Sequence, residues 1–273
     1  MLGPDVLSAC PHGGVMTDQE ILQAFDKIRV WQQGGKRAVH KPLLILLALG
    51  KLTRGEPTMM EFSDIEGELK TLLTEFGPSS APNSHQYPFW HLRTDGLWQL
   101  SGPKSILERA PGATPTLTEL RQGHVSGGLS SDIVKVLRDK PGLILSIARR
   151  IVEAHFPESL QHDVLDAVGL GAVDDLSFDA NTASQQRARR DPAFRERVLR
   201  AYQYRCCVCE YDLRLAGQVV GLEAAHIKWF QAGGPDVEPN GLALCALHHK
   251  LFDLGAFMLL TDTCDGSEPK FGR

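Results

Sequence analysis

The residues best equipped for chemistry lie between Cys206 and Asp253. Cys206-x-x-Cys209 is followed, 36 positions after Cys209, by Cys245-x-x-His248. Two residues separated by two others can meet on one side of a tight turn, and two such pairs close a tetrahedral zinc shell. All four donors are soft or borderline, and no carboxylate joins them. That set points to a structural zinc, whose binding energy is folding energy in a module with little core of its own. Cys207 competes with Cys206, but the two-residue spacing favours Cys206. A single Cys-x-x-Cys would fit small buried apolar packing equally well. Two matched pairs favour metal.

Interleaved with these ligands is an ordered trio: His226, Asn240 fourteen positions later, and His249 nine after that. A histidine that titrates near neutrality can accept a proton from water. His248 and His249 are adjacent, so on a helix they point about 100° apart. One can therefore serve the zinc cluster while the other serves a second site.

The combined pattern resembles an HNH endonuclease module, in which a ββα finger holds a divalent cation against a scissile phosphate. The resemblance implies that His226 is the general base, that His249 ligates a catalytic cation such as Mg²⁺ or Mn²⁺, and that Asn240 pins the loop that aims His226. Many members carry an Asp just before the first His; here that position is Ala225. Asp253, one helical turn after His249, or Glu223 would supply the carboxylate, with Asp253 ranked slightly ahead.

These residues need elements to hold them. Val219–Ile227 reads as a strand, and Asp191-Pro192 as a helix start with Asp at the N-cap and Pro at the first helical position. Residues 172–190 are polar or arginine-bearing without an apolar period, and read as a linker. Upstream, apolar spacing predicts amphipathic helices over Asp18–Val30 and Phe62–Phe76, with further helices around Asp132–Arg138 and Pro141–His155. Pro42 opens a helix that is apolar all round and hence central. Phe89–Leu100 reads as a hairpin turning at Asp95-Gly96, and Asp163–Val168 as a last short turn. The expected fold class is α+β: a mainly helical N-terminal domain with a small hairpin (17–171), linked to a zinc-stabilised ββα domain (191–273). Residues 1–16 form an unpatterned lead, and Met16 is an alternative start.

The N-terminal runs Gly35–Gly50, Gln86–Trp98 and Glu153–Glu158 resemble the sulfur-binding domain of McrA-type modification-dependent restriction endonucleases, which precedes an HNH module in the same order. The resemblance implies recognition of phosphorothioated DNA, where sulfur replaces a non-bridging phosphate oxygen. Sulfur is larger and less strongly hydrated than oxygen, so an apolar cup at Tyr87-Pro88-Phe89 suits it. Lys36, Arg37, His40 and Lys41 would grip phosphates and read base edges, with Arg93 a further candidate. The glycine-rich stretch Arg121–Gly128 would follow the duplex backbone. Trp90 and Trp98 read as core.

Net charge is −4 over 273 residues. Residues 173–273 hold 12 basic and 14 acidic side chains, leaving 17 and 19 for residues 1–172. Neither part is a basic nucleic-acid coat, so DNA contact must come from local patches. The longest apolar run is too short to span a membrane, and the start lacks a signal-type core, so a cytoplasmic protein is expected. The whole reads as a type IV-like restriction endonuclease; cutting two strands with one site implies either a homodimer or two visits. A non-cleaving reader with a degenerate HNH fold and a methylcytosine-dependent HNH nuclease are the alternatives.

Overall fold

The structure is a computed structural model that describes residues 17–77, 85–171, 191–260 and 270–272, apart from 29, 31, 34, 35, 38, 111 and 192. The expected lead (1–16) and linker (172–190) lie outside the described residues.

Helix α1 (Asp18–Asp26) starts at a reciprocal capping box: Thr17 Oγ1 accepts from the Glu20 amide, and the Glu20 carboxylate accepts from the Thr17 amide. This satisfies two backbone donors that the first turn leaves orphaned. A short antiparallel pair, β1 (Gln32–Gln33) and β2 (Lys36–Arg37), leads into α2 (His40–Thr53). Leu43–Leu49 of α2 are all buried, as a helix without a polar face requires. At Gly50 a Cβ would lie 1.9 Å from the Val168 carbonyl oxygen, so only glycine allows that approach.

Next come β3 (Met59–Glu61), α3 (Phe62–Phe76), α4 (Gln86–His91) and a 3₁₀ turn (Leu92–Asp95). Then follow β4 (Trp98–Ser101), α5 (Lys104–Leu107), α6 (Leu117–Gln122) and β5 (Ser126–Leu129). Helices α7 (Ser131–Asp139), α8 (Pro141–His155) and α9 (Glu158–Ala167) complete the N-terminal half. Strands pair antiparallel in the order β3-β5-β4, and α2 packs on α3, α4 and α8.

Three expectations are corrected here. Phe89–Leu100 is not a hairpin: α4 and the 3₁₀ turn end at Gly96, whose φ of 76° is left-handed. Asp-Gly serves a helix end as well as a hairpin turn, because both need a positive φ. Strand β4 pairs instead with β5, Trp98 opposite Leu129. The Arg121–Gly128 stretch, expected to follow the duplex backbone, is in part built into the fold, since its last three residues, Ser126–Gly128, belong to the central strand β5. A Cβ at Gly127 would lie 2.6 Å from Trp98 Nε1 and 2.8 Å from Phe89 Cζ, so close packing explains the glycine. Last, Asp163–Val168 is the second half of a ten-residue helix, α9, and not a separate short turn.

The C-terminal half opens with α10 (Phe194–Ala201), whose N-cap is Ala193 and not the expected Asp191; Asp191 Oδ1 accepts from the Ala193 amide at 2.9 Å just ahead of the helix. A small hairpin, β6 (Arg214–Leu215) and β7 (Gln218–Val219), precedes β8 (Leu222–His226), β9 (Gly241–Cys245) and α11 (Ala246–Asp253). Strand β8 pairs antiparallel with β9, Leu222 opposite Cys245 and His226 opposite Gly241. A final pair, β10 (Met258–Leu260) and β11 (Lys270–Gly272), follows. This is the expected ββα order. Among the described residues, its apolar cluster holds ten buried residues against 43 in the N-terminal half, too few for a stable domain without a further device. Helix α11 rests on α9: Lys250 pairs with Asp163, and Ser159 Oγ donates to Asp253 Oδ2 at 2.5 Å. No helix among the described residues is long and apolar enough to cross a membrane.

Candidate active site and nucleic-acid interface

The predicted zinc ligands converge. Cys245 is the N-cap of α11, which puts His248 one turn on, facing back to it. The Cys206–Cys209 turn is closed by the Glu210 amide donating to the Cys206 carbonyl at 2.8 Å, and the Cys207 amide ties it to Ala243 of β9 at 2.9 Å. Tetrahedral zinc with Zn–S near 2.3 Å requires ligand atoms about 3.6–3.8 Å apart. Cys209 and Cys245 sulfurs are 3.9 Å apart, and His248 Nδ1 lies 3.6 Å from Cys206 Sγ and 3.2 Å from Cys245 Sγ. All four ligand atoms lie within 4.8 Å of one another, alone in this among the described residues. The donor set fits zinc. Burial works against ionisation at Cys206, but amides of Cys245, Cys209 and Val208 outweigh it and draw this thiol below its ordinary value, favouring thiolate. Burial pushes Cys207 up to about 11, so it stays a thiol outside the cluster.

His249 points elsewhere. Its Nδ1 meets Glu223 Oε2 at 2.6 Å and its Nε2 meets Asp253 Oδ2 at 3.3 Å. Both carboxylates weighed from the sequence thus stand on this one ring. Asp253 is buried, which raises its carboxyl above the ordinary range against the opposing pull of His249 and Ser159. Ala225 is fully buried in the small core, so an aspartate there would need desolvation.

His226 ends β8. Its Nε2 lies 2.8 Å from Asp236 Oδ1, and the Phe194 ring stacks on it at 4.3 Å. Asn240 fastens the intervening loop: its Oδ1 accepts from the Lys228 amide at 2.9 Å, and its Nδ2 donates to the Lys228 and Pro235 carbonyls, each at 3.0 Å. Glu223, His226, Asp236, His249 and Asp253 line one cleft of about 600 Å³, with Arg195, Trp229 and Phe230. Pro157, Glu158 and Ser159 from the N-terminal half form part of its wall. Asp236, Phe194 and Arg195 are not among the site residues that the sequence suggests. Asp236 had one usable signal, a carboxylate ten positions after His226 and four before Asn240.

The N-terminal candidates divide. Tyr87 is 49% exposed, its ring parallel to that of His91 at 6.2 Å. Pro88 is buried beside it. Phe89 is a correction: it is fully buried, edge-on to Phe62 and Trp98, because α4 turns it inward between α3 and β4. Lys41 Nζ lies 2.5 Å from the buried Asp95 carboxylate, so its charge is engaged within the fold. Arg93 lies over the Trp90 ring at 3.8 Å, a cation–π contact. His40 sits at the start of α2, and burial lowers its pKa. The side chains of Lys36 and Arg37 lie outside those described. His91, missed in the sequence, bonds Thr114 Oγ1 at 2.8 Å. Burial, then the charges of Lys41 and Arg93, lower its pKa, so both cations lie within electrostatic reach of the ring that stacks on Tyr87.

Fold and sites together define a two-part protein, a helical domain followed by a zinc-fitted ββα module. The model of the ScoMcrA-like DNA sulfur-binding domain matches residues 18–173, and that of an HNH endonuclease matches residues 206–259. The chain belongs to the ScoMcrA-like DNA sulfur-binding domain family. Among solved structures, the sulfur-binding and SRA domains of ScoMcrA complexed with phosphorothioated DNA share 26% identity at TM-score 0.50, over 55% of this chain and 46% of that one. The sulfur-binding domain of ScoMcrA complexed with phosphorothioated DNA shares 25% identity at TM-score 0.49, over 55% of this chain and 94% of that one. The type IV phosphorothioation-dependent restriction endonuclease ScoMcrA shares 26% identity at TM-score 0.47, over 55% of this chain and only 32% of that one. A search of curated proteins returns no match.

Proposed function

We propose that the protein is a type IV-like restriction endonuclease that binds phosphorothioated duplex DNA through residues 17–171 and hydrolyses a nearby phosphodiester through residues 191–273, with 172–190 as the tether. The observation that carries this is the pairing, in one chain, of the sulfur-binding family with a cleft that gathers His226, His249, Glu223 and Asp253. In this reading His226 takes the proton from the attacking water. Asn240 holds the loop that aims it. His249 with Glu223 or Asp253 is a mixed imidazole and carboxylate donor set, whose hard oxygens suit Mg²⁺ or Mn²⁺. Such a cation supplies Lewis-acid stabilisation of the phosphate when bound. Cys206, Cys209, Cys245 and His248 hold structural zinc. Tyr87, exposed over the buried Pro88, forms the surface that accepts sulfur, with His91 stacked on it and Lys41 and Arg93 close to His91; Lys36, Arg37 and His40 lie nearby in sequence. A carboxylate-furnished His249 supports cleavage over a non-cleaving module, despite Ala225.

Matched duplexes, one phosphorothioated and one plain, incubated with the protein and Mg²⁺ or Mn²⁺ test the reading. Cleavage of the modified duplex alone is expected. Cleavage of neither, with selective binding retained, would leave a non-cleaving reader. Cleavage of a methylcytosine duplex instead would reassign the modification.

A further inference from the structure

We infer that Asp236 is a positioning residue for His226, fixing the imidazole as the Nε2–H tautomer so that Nδ1 carries the lone pair. This rests on the reading of His226 as the base. Asp236 Oδ1 faces His226 Nε2 at 2.8 Å, and its Oδ2 accepts from the Asp191 amide at 2.7 Å, so both oxygens are engaged. Both side chains are largely buried, 17% and 11% exposed, which strengthens their interaction relative to water. Ring rotation is opposed by Phe194, stacked 17° from parallel, and by Phe230 at 6.3 Å. The loop that carries Asp236 is held by Asn240 through Pro235 and Lys228. At Gly234 a Cβ would lie 1.8 Å from the Lys228 carbonyl oxygen, so the loop is drawn tight across its base. Asn240 and Asp236 thus act in series, one fixing the loop and the other fixing the ring.

A carboxylate can only accept here. Nε2 must therefore donate, and the proton taken from water goes to Nδ1, leaving an imidazolium facing Asp236. The isosteric Asp236→Asn cannot reproduce this. With its oxygen kept on the Asp191 amide, its NH₂ meets Nε2 and drives the ring proton to Nδ1, where the lone pair is needed. Flipped, it sets its NH₂ against the Asp191 amide, donor against donor. The same logic makes a carboxylate-to-amide change at the histidine of a serine-protease triad costly through the wrong tautomer.

The test uses the full zinc-loaded chain without other metal. Long-range ¹H–¹⁵N correlation of histidine rings above neutral pH, with the His226 signal assigned by its loss in His226→Ala, reads the tautomer directly. Nε2–H is expected in the wild type; Nδ1–H in the wild type overturns the inference without any variant. In Asp236→Asn the population should move to Nδ1–H, with kcat down about 100-fold or more and KM for modified DNA within about twofold. Unchanged tautomer, or kcat within threefold of wild type, also overturns it. The ring readout needs no cleavage. A wild type that cuts no duplex would therefore sink the nuclease reading and leave the tautomer result standing on its own.

Discussion

Helix α2 has eleven of its fourteen residues buried; each of the eight residues of helix α11 keeps part of its surface exposed, even where, as at Asp253, the side chain is covered. Each is the central helix of its half, yet they are held by different forces. Leu43–Leu49 hold α2 by packing against α3, α4 and α8. Helix α11 is held by what its polar side chains reach: His248 the thiol cluster, His249 two carboxylates, Lys250 and Asp253 the α9 helix. A helix fixed by packing cannot present functional groups along its length. One fixed by ligands can turn neighbouring histidines to different tasks. The cost is dependence on those ligands.

The comparison breaks first, and hardest, on metal removal. Chelation, or Cys209→Ser, should unfold the C-terminal half while the N-terminal half stays folded, because structural zinc contributes on the order of 10 kcal/mol. Circular dichroism and elemental analysis would show it; a folded, zinc-free C-terminal half would contradict the ligand assignment.

Next in size is the separation of the two histidines. His249→Ala and His226→Ala should each lower cleavage by about 10²–10⁴-fold, with zinc content and affinity for modified DNA unchanged. If His249→Ala instead released zinc, the division of labour between neighbouring ring positions would be wrong.

On the packed side, Phe89→Ala should cost about 3–5 kcal/mol of N-terminal stability, seen as a fall in denaturation midpoint. A variant of unchanged stability that lost sulfur preference would restore Phe89 as a surface contact. The smallest stability effect is expected two residues away. Tyr87→Ala should change stability by no more than about 0.5 kcal/mol while reducing the preference for phosphorothioated over plain DNA. Paired affinities at two salt concentrations would separate that loss from a general electrostatic one.

Much was legible in the sequence because it depended on short spacings. Cys-x-x-Cys, Cys-x-x-His and the His–Asn–His order impose local geometry that any ββα hairpin must realise, and the convergence of the four Cys and His ligand atoms and the divergence of His248 from His249 followed. Amphipathic periods placed α3, α7 and α8 within a residue or two. The failures share one cause: the deciding partner was remote in the chain. Asp95-Gly96 needed a positive φ, but whether a helix or a strand preceded it depended on α4 packing against α2. Gly127 and Gly128 are glycines because Phe89, Trp98 and Thr58, all remote in the chain, press against them. Phe89 and Tyr87 are two positions apart on one short helix, and only the surrounding core decides that one faces inward and the other outward. Asp236 lies in a loop and Ser159 in the first turn of α9, and they acquire meaning only because the loop from Lys228 to Asn240 and the start of α9 close around His226 and Asp253. Local composition specifies which groups can bind metal or carry a proton. Which carboxylate meets which ring is set by tertiary packing, because that is a matter of ångströms between segments the sequence does not order.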